Sequence, residues 1–282
     1  MRIGRFEIYP LTDGLFRLDG GAMFGIVPRP LWEKTNPPDE RNRIRMNLGT
    51  LLIKAHGKNI LVDTGAGGKL DPKWQDIYAL QRKPSLEESL ARLRLTPGDI
   101  DIVINTHLHF DHAGGNTFRN LQGEIVPTFT NARYFVQKGE WDWAHTQHDR
   151  TQFAYTKDDF APIERSGRLA LLNGDEEIVN GVRALVTPGH TEHHQCVTIE
   201  SEGRKAIFLG DLIPMAAHLP YLYIMGYDLF PLKTLENKKK ILRQAHDGRW
   251  LLIFQHDPDT PMGYLKKTDD RFTLEAVRET AD

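Results

Sequence analysis

One six-residue segment constrains this chain more than any other part of its sequence. His107, His109, Asp111 and His112 follow the apolar run at residues 100–104. This pattern predicts a buried strand with the polar cluster at its C-terminal end. Alternate side chains of an extended backbone share one face, so the imidazoles of His107 and His109 point the same way. The chain therefore needs a sheet whose edge gathers these side chains at one site.

The side chains of this segment are of the types that bind metals. Imidazole nitrogen and carboxylate oxygen without a thiolate suit Zn, Mn, Fe or Co, and ligand type alone does not choose among these ions. The chain turns at Asp111, so Asp111 and His112 reach a neighbouring position, and Gly114 and Gly115 permit the tight backbone path that follows. A purely structural turn would not gather so many competing donors. We therefore expect two divalent metal ions, with Zn(II) as the first choice.

Three more candidate ligands stand at the ends of apolar runs in the second half of the chain. They are His190, Asp211 and His256. A carboxylate such as Asp211 can bridge two cations and offset part of their charge. Isolated histidines are more often hydrogen-bonded structural residues than ligands. We interpret six others in that way: His56, His145, His148, His193, His194 and His246.

The rest of the pattern predicts strands in both halves of the chain, with helices between them. Strand-like runs stand at residues 6–9, 15–18, 48–55, 59–62, 182–186, 196–199, 205–209 and 250–254. Ser85 and Glu88 form a capping-box pattern that begins a helix, and a second helix is expected over residues 234–245. Residues 36–45 and 117–131 are expected to be long loops.

No linker or low-complexity segment interrupts the chain, so we expect a single catalytic domain over residues 1–282, with the N-terminal meander of residues 1–47 as its extension. The formal net charge is −2, which leaves no basic footprint for nucleic acid. The run Lys238, Lys239 and Lys240 is interpreted as a solvated helix face. No apolar run reaches the ~18 residues of a membrane span or has the form of a signal peptide, so we expect a cytoplasmic protein with no membrane partner.

The segment from His107 to His112 reads His-Leu-His-Phe-Asp-His and resembles the HxHxDH signature of the metallo-β-lactamase superfamily. Other motifs of that family match, in the same order, Asp63-Thr-Gly65, Gly189-His190, Gly210-Asp211 and His256. The resemblance implies an α/β (α+β) fold, the αββα sandwich. It also implies a ligand set: His107, His109 and His190 on one metal, Asp111, His112 and His256 on the other, and Asp211 bridging both. Asp63 would orient the ligands, or it would cap a turn.

Within the superfamily, residues 105–116 and 187–191 resemble the N-acyl-homoserine lactonases most strongly. The resemblance implies a quorum-quenching lactonase, in which a metal-bridging hydroxide opens the ring of a small lactone or ester substrate. Methyl parathion hydrolase-like enzymes share much of this layout, so a phosphotriesterase is one alternative and a glyoxalase II-like thioesterase is another. The alternative outside enzymes is an effector-binding protein stabilised by its metals. Similar lactonases often dimerise, which leaves a homodimer open.

The catalytic and substrate-binding residues are less well defined by the sequence than the ligands. Asp111 is the expected proton shuttle to the leaving alkoxide. Known lactonases commonly place a tyrosine three residues after the bridging aspartate, and Pro214 stands there in this chain. His218 and Tyr223 are the candidate replacements, and the candidates for substrate binding are Met23, Phe24 and Tyr221. Packing of an aromatic loop explains the tyrosines equally well.

Overall fold

The computed structural model describes residues 1–146, 148–269 and 271–277 of the 282-residue chain. The chain divides into two units, and each consists of segments that are separate in sequence. One unit comprises Met1–Arg5, Phe16–Asn47 and Glu177–Asp282, and is called unit 1 below; unit 2 comprises Phe6–Leu15 and Leu48–Glu176. Each unit therefore depends on contacts between distant parts of the chain.

The strands of the described residues form two large sheets and one hairpin. In chain order they are β1 (Arg2–Ile3), β2 (Phe6–Asp19), β3 (Arg43–Ala55), β4 (Lys58–Val62), β5 (Ile102–Ile104), β6 (Thr117–Arg119), β7 (Ile125–Pro127), β8 (Arg133–Gln137), β9 (Leu169–Leu172), β10 (Glu176–Val179), β11 (Val182–Val186), β12 (Gln195–Ser201), β13 (Arg204–Phe208), β14 (Leu251–Ile253), β15 (Met262–Thr268) and β16 (Arg271–Ala276). The first sheet has the strand order β1-β2-β3-β4-β5-β8-β9, the second runs consecutively from β10 to β16, and β6 pairs with β7.

The helices are mostly short. They are α1 (Gly20–Phe24), α2 (Arg29–Trp32), α3 (Pro72–Ile77), α4 (Leu86–Arg92), α5 (Phe110–Ala113), α6 (Lys138–His145), α7 (Lys157–Arg165) and α8 (Pro231–Asp247). Single turns of 3₁₀ helix stand at Pro97–Asp99, Gly114–Asn116, Gly210–Leu212 and Ala216–His218. Within the part of the chain that the structure describes, no helix has the length and apolar character needed to cross a bilayer.

In unit 2, two parallel strands carry the candidate site. β4 and β5 pair in parallel with Val62 opposite Ile104, and both strands end in fully buried apolar residues, as expected for a strand covered on both faces. The backbone N–H of Asp63 donates to the carbonyl of Ile104 at 2.9 Å. Because parallel strands end at the same edge, Asp63 and the segment after Ile104 leave the sheet side by side.

The first predicted helix is confirmed as α4, together with its cap. The backbone N–H of Glu88 donates to the hydroxyl of Ser85 at 3.2 Å, and the N–H of Ser85 donates to the carboxylate of Glu88 at 2.8 Å. Two N–H groups that would otherwise lack partners are thereby satisfied. Leu86 and Leu90 bury the apolar face of the helix in the core of unit 2.

In unit 1, parallel pairing again brings two candidate residues to one edge. β13 runs parallel to β14 with Phe208 opposite Ile253, so Asp211 and His256 both follow strands that end at the same side. Helix α8 covers this sheet and buries Ile241 among the apolar side chains of its strands. The predicted helix is thus confirmed, although it begins earlier, with Pro231 in its first turn.

The structure also corrects predictions about the chain's organisation. Residues 6–9 and 15–18 belong to one continuous strand, β2, because the intervening Asp13 is buried and pairs with Arg82 at 2.7 Å instead of marking a turn. The loop expected over residues 117–131 contains the hairpin of β6 and β7. The loop expected over residues 36–45 ends early, since β3 begins at Arg43.

The prediction of a solvated lysine face on α8 is wrong for Lys238. Its side chain is only 1% exposed, whereas Lys239 and Lys240 are exposed as predicted. A run of three lysines on a helix spans about 200° of its circumference, so one of them can face the core. Sequence alone does not tell which of the three does so.

Candidate metal centre

The contiguous cluster of unit 2 brings its histidine rings into direct contact. Nε2 of His107 lies 3.0 Å from Nδ1 of His109, and the ring centroids of His107 and His112 are 3.8 Å apart. Asp111, in the first turn of α5, places Oδ2 at 3.7 Å from Nε2 of His112. The structure therefore brings the four predicted side chains of this segment together, as the period-two spacing predicts for the first two.

Asp63 lies behind this cluster, at the end of β4. Its carboxylate accepts hydrogen bonds from the backbone N–H and the hydroxyl of Thr106, both at 2.7 Å. Its Oδ2 also lies 3.0 Å from Nδ1 of His112. A carboxylate accepts only, so Nδ1 of His112 carries the proton and Nε2 is left as the ligand atom. Asp63 thus occupies a turn with φ of 56° and also orients a ring.

The glycines after the cluster allow a close backbone approach. A Cβ built on Gly115 would lie 2.2 Å from the carbonyl oxygen of Thr64, a distance at which no side chain fits. Lys69 stabilises the same turn from inside the unit, because its ammonium donates to the carbonyls of Gly114 and Thr117 and pairs with Asp159 at 3.0 Å. The tight path predicted from the glycine pair is confirmed.

A second set of contacts fixes the cluster from the side of His109. Glu140 is fully buried and accepts the backbone N–H of Leu108 at 3.1 Å and the hydroxyl of Tyr155 at 2.8 Å. The ring of Tyr155 packs edge-on against His109, with centroids 4.7 Å apart. Burial, with the nearby Glu140, raises the pKa of Tyr155 well above its ordinary value, so its hydroxyl stays protonated. The sequence contained no signal for either residue.

In unit 1, Asp211 stands between two histidines. Its Oδ2 lies 3.0 Å from Nε2 of His190 and its Oδ1 lies 3.1 Å from Nε2 of His256. The three predicted residues of the second half are thus brought together. The two oxygens of one carboxylate face different rings, which is the arrangement that a bridging ligand requires.

Both rings are held from their far sides. Nδ1 of His190 lies 3.0 Å from Oδ1 of Asp228, and Nδ1 of His256 lies 2.8 Å from the carbonyl oxygen of Asn47. Since each far nitrogen faces an acceptor, Nε2 is the atom of each ring that faces an oxygen of Asp211. A ring nitrogen and a carboxylate oxygen at about 3 Å need positive charge between them, which a proton or a metal ion supplies. The donor set therefore fits divalent cations, and it satisfies the expectation that metal-binding imidazoles have oriented far nitrogens.

His194 also contributes to this arrangement, although the sequence reading treated it as structural. Its Nε2 accepts the backbone N–H of Asp211 at 3.1 Å, and its Nδ1 lies 2.9 Å from the hydroxyl of Thr187. The ring is buried and fixes the backbone of the bridging residue. Its structural role is thus consistent with the prediction. Neither Asp228 nor His194 carries a sequence signal that separates it from other polar loop residues.

The candidate replacements for the missing tyrosine lie in unit 1, in an aromatic group around Phe24. His218 stacks on Phe24 with ring centroids 4.6 Å apart, Trp32 stacks on the same ring at 5.4 Å, and Tyr223 meets it edge-on at 6.0 Å. Met23 and Phe24 are fully buried. The structure therefore brings together four of the five candidates. Tyr221 lies apart from them, against Phe272.

His218 has one nitrogen that is not satisfied by the surrounding residues. Its Nε2 lies 2.8 Å from the carbonyl oxygen of Met23 and so carries the proton. Its buried Nδ1 has no hydrogen-bond partner among the residues that the structure describes. Burial lowers the pKa of His218 to about 3, so the ring is neutral at pH 7 and Nδ1 is an acceptor.

Comparisons with known proteins agree with this geometry. Residues 50–256 match the family model described as the metallo-beta-lactamase superfamily. The N-acyl homoserine lactonase of Bacillus cereus is 29% identical over 170 residues, which are 60% of this chain and 58% of that protein. The alignment thus spans less than two thirds of that relative.

Two solved structures resemble the chain over nearly its whole length. One, described as a probable metal-dependent hydrolase from Staphylococcus aureus, is 33% identical, covers 100% of both chains and has a TM-score of 0.89. The other is AidC, a dizinc quorum-quenching lactonase in complex with a product. It is 23% identical, with 99% of this chain and 97% of its own covered and a TM-score of 0.81.

The chain belongs to the metallo-β-lactamase superfamily, because the family model matches well over half of its residues. It is a metal-dependent hydrolase of that superfamily. The similarity to the solved structures confirms the predicted fold, a mixed α/β metallo-β-lactamase fold.

Proposed function

We propose that this hydrolase is a lactonase that opens N-acyl-homoserine lactones at a dinuclear metal centre. The observation that carries the proposal is the position of Asp211, whose two oxygens face the Nε2 atoms of His190 and His256. The match to an N-acyl homoserine lactonase supports the substrate class. The long structural similarity to a dizinc lactonase supports the fold that such a centre needs.

The proposed ligands come from the two clusters together. His107, His109 and His190 would hold one ion, Asp111, His112 and His256 the other, and Asp211 would bridge them. Within each unit these donors lie close together: Nδ1 of His109 is 3.0 Å from Nε2 of His107, and Oδ2 of Asp211 is 3.0 Å from Nε2 of His190. Zinc is the first choice, since these nitrogen and oxygen donors suit it, and Mn, Fe and Co suit them as well. We propose in consequence that residues 1–282 act as one catalytic domain.

When bound, such ions supply Lewis acidity and compensate the negative charge that develops on the substrate. The protein's own groups would do the rest. Asp111 has a carboxylate beside His112 and would carry the proton to the leaving alkoxide. The hydroxyl of Tyr223 is proposed to replace that of the missing tyrosine as a hydrogen-bond donor. His218 is the other candidate, and its Nδ1 would act there as an acceptor, since its one proton is bonded to Met23. Met23 and Phe24 are proposed to support the apolar side of the substrate site from behind, since both are fully buried and Phe24 is held between two stacked rings. Tyr221, which packs against Phe272, is the third candidate for that side.

The test is ring opening of N-acyl-homoserine lactones with C4 to C12 chains, followed as acid release, with metal content measured on the same sample. We expect activity that tracks the metal content and is lost in the His109→Ala variant, because His109 offers Nδ1 beside His107. His148→Ala is the matched control, since His148 is an exposed histidine outside both clusters.

Two other outcomes are informative. Metal-loaded protein that cleaves phosphotriesters or thioesters and leaves every lactone intact would replace the proposed substrate class with one of those. Stoichiometric metal without hydrolysis of any ester, lactone or phosphoester would contradict a catalytic role and favour an effector-binding protein.

A further inference from the structure

Lys238 is a buried cation in the middle of α8. Its side chain is 1% exposed, and its ammonium donates to the carbonyl oxygens of Pro220 and Tyr223, both at 2.8 Å. Its neighbours Lys239 and Lys240 are exposed on the same helix. Burying an ammonium group is costly unless nearby groups compensate its charge. The solubility of the helix therefore does not explain why the side chain of Lys238 is buried.

Asp228 follows the two carbonyls that Lys238 binds, in the same segment of the chain. It is buried, its Oδ1 lies 3.0 Å from Nδ1 of His190, and its Oδ2 has no hydrogen-bond partner among the described residues. Burial lowers the pKa of Lys238 to about 7, and the negative charge of Asp228 opposes that decrease. Because Asp228 bonds to the ring of His190, the place of this segment affects the orientation of that ring.

The segment between these residues is bonded to the loop of His190 by its backbone as well. The N–H of Leu229 donates to the carbonyl of His190 at 3.1 Å, and the N–H of Phe230 donates to that of Gly189 at 2.9 Å. Lys238 binds the same segment at Pro220 and Tyr223. It therefore acts on His190 through the position of residues 220–230.

We propose that Lys238 is a positioning residue: by binding the carbonyls of Pro220 and Tyr223 it keeps Asp228 in place, and thereby holds the ring of His190 in the orientation that binds metal. The inference rests on the proposed metal centre. It means that Lys238, a helix residue that is not itself a ligand, helps to determine the metal affinity. It also explains why one lysine of three is buried.

The test compares zinc affinity, measured by competition with a chromophoric chelator, in three single variants. Lys238→Met removes both hydrogen bonds, Lys238→Gln keeps an N–H donor on a side chain one atom shorter that does not reach both carbonyls, and Lys240→Met makes the Met change on the exposed face. We expect Lys238→Gln to lower the affinity of the weaker site about 10- to 100-fold, as for other groups that orient ligands. Lys240→Met should bind as the wild type does. If Lys238→Met does not fold, the Lys238→Gln variant still decides.

A double variant separates positioning from a general loss of structure. If Lys238 acts through the position of Asp228, the Lys238→Gln change should lower zinc affinity much less in an Asp228→Ala background than in the wild type, because the carboxylate that it positions is already gone. Equal losses in both backgrounds would overturn the inference, as would wild-type affinity in Lys238→Gln. Failure of the wild type to bind zinc would overturn the proposed metal centre and this inference together. Tight zinc binding by the wild type and Lys238→Gln alike would overturn only the inference.

Discussion

The two groups of candidate ligands are assembled in different ways. In unit 2, His107, His109, Asp111 and His112 lie within six residues, and the end of one strand and one short helix set their geometry. In unit 1, the three ligands lie at the ends of separate segments, and Asp211 is 45 residues before His256. The first group is determined mostly by local spacing, whereas the second depends on the pairing of β13 with β14.

Both groups nevertheless depend on distant residues for the orientation of their rings. His112 is held by Asp63, 49 residues away in sequence, His190 by Asp228, 38 residues away, and His256 by the backbone of Asn47, 209 residues away. Local spacing can bring donors together, but it does not by itself determine which nitrogen faces the metal. That choice depends on tertiary contacts in both groups.

The largest expected effect distinguishes Asp211, the aspartate proposed to bridge both metals, from Asp111, which is proposed to bind one. Asp211→Ala removes the carboxylate whose two oxygens face two histidines, whereas Asp111→Ala removes one donor of the contiguous group. We expect Asp211→Ala to lower lactone hydrolysis by more than the roughly 10- to 100-fold typical of groups that only orient ligands, and to lose more metal than Asp111→Ala. Metal analysis after gel filtration checks this, and equal metal loss in the two variants would contradict the distinction.

The next effect compares the supports of the two groups. Asp63→Asn removes the charge behind His112 and Asp228→Asn removes the charge behind His190. We expect each variant to lower zinc affinity about 10- to 100-fold, because each weakens the acceptor that orients one ring. Chelator competition measures the loss. An effect confined to Asp228→Asn would mean that the contiguous group needs no distant support, which would break the parallel between the groups.

A smaller effect tests the backbone of the contiguous group. Gly115→Ala would place a Cβ 2.2 Å from the carbonyl oxygen of Thr64, so the turn must move, at a cost of about 1–3 kcal/mol in the free energy of unfolding. Gly98→Ala is the control, since its Cβ would meet its nearest atom at 3.6 Å. Urea unfolding of the metal-free proteins checks the difference. Similar stabilities of the two variants would show that the close approach is easily relieved.

The smallest effect, taken per pH unit, concerns His218, a buried residue of unit 1 that is not one of the three candidate ligands. The folded state keeps His218 neutral because burial lowers its pKa from 6.5 to about 3, whereas the unfolded chain protonates it below about pH 6.5. The unfolded state therefore binds the extra proton, and stability falls as the pH decreases from 6.5 toward 3. We expect the wild type to lose up to about 1.4 kcal/mol more per pH unit in this range than His218→Gln. Urea unfolding at several pH values measures the two slopes, and parallel slopes would contradict a buried neutral ring.

Much of the fold could be predicted from the sequence where the signal is local. The capping box at Ser85, the helix that became α8 and the strand β11 at Val182–Val186 follow from patterns within a few residues. The predictions failed where a distant contact overrides the pattern. Asp13 and Gly14 look like a turn, yet the pairing of Asp13 with Arg82 keeps β2 continuous.

The candidate site divides in the same way. The sequence alone predicted the candidate donors: those of the contiguous segment because metal-binding side chains at close spacing after a strand are chemically distinctive, and the other three because they follow apolar runs. The tertiary structure alone identified Asp228, Glu140 and the burial of Lys238, since the chemistry of an aspartate, a glutamate or a lysine is the same in any loop or helix until its neighbours are known. Sequence determined which atoms can bind a cation. The packing of segments far apart in the chain decided which of those atoms are oriented to do so, because only that packing supplies the acceptors behind each ring.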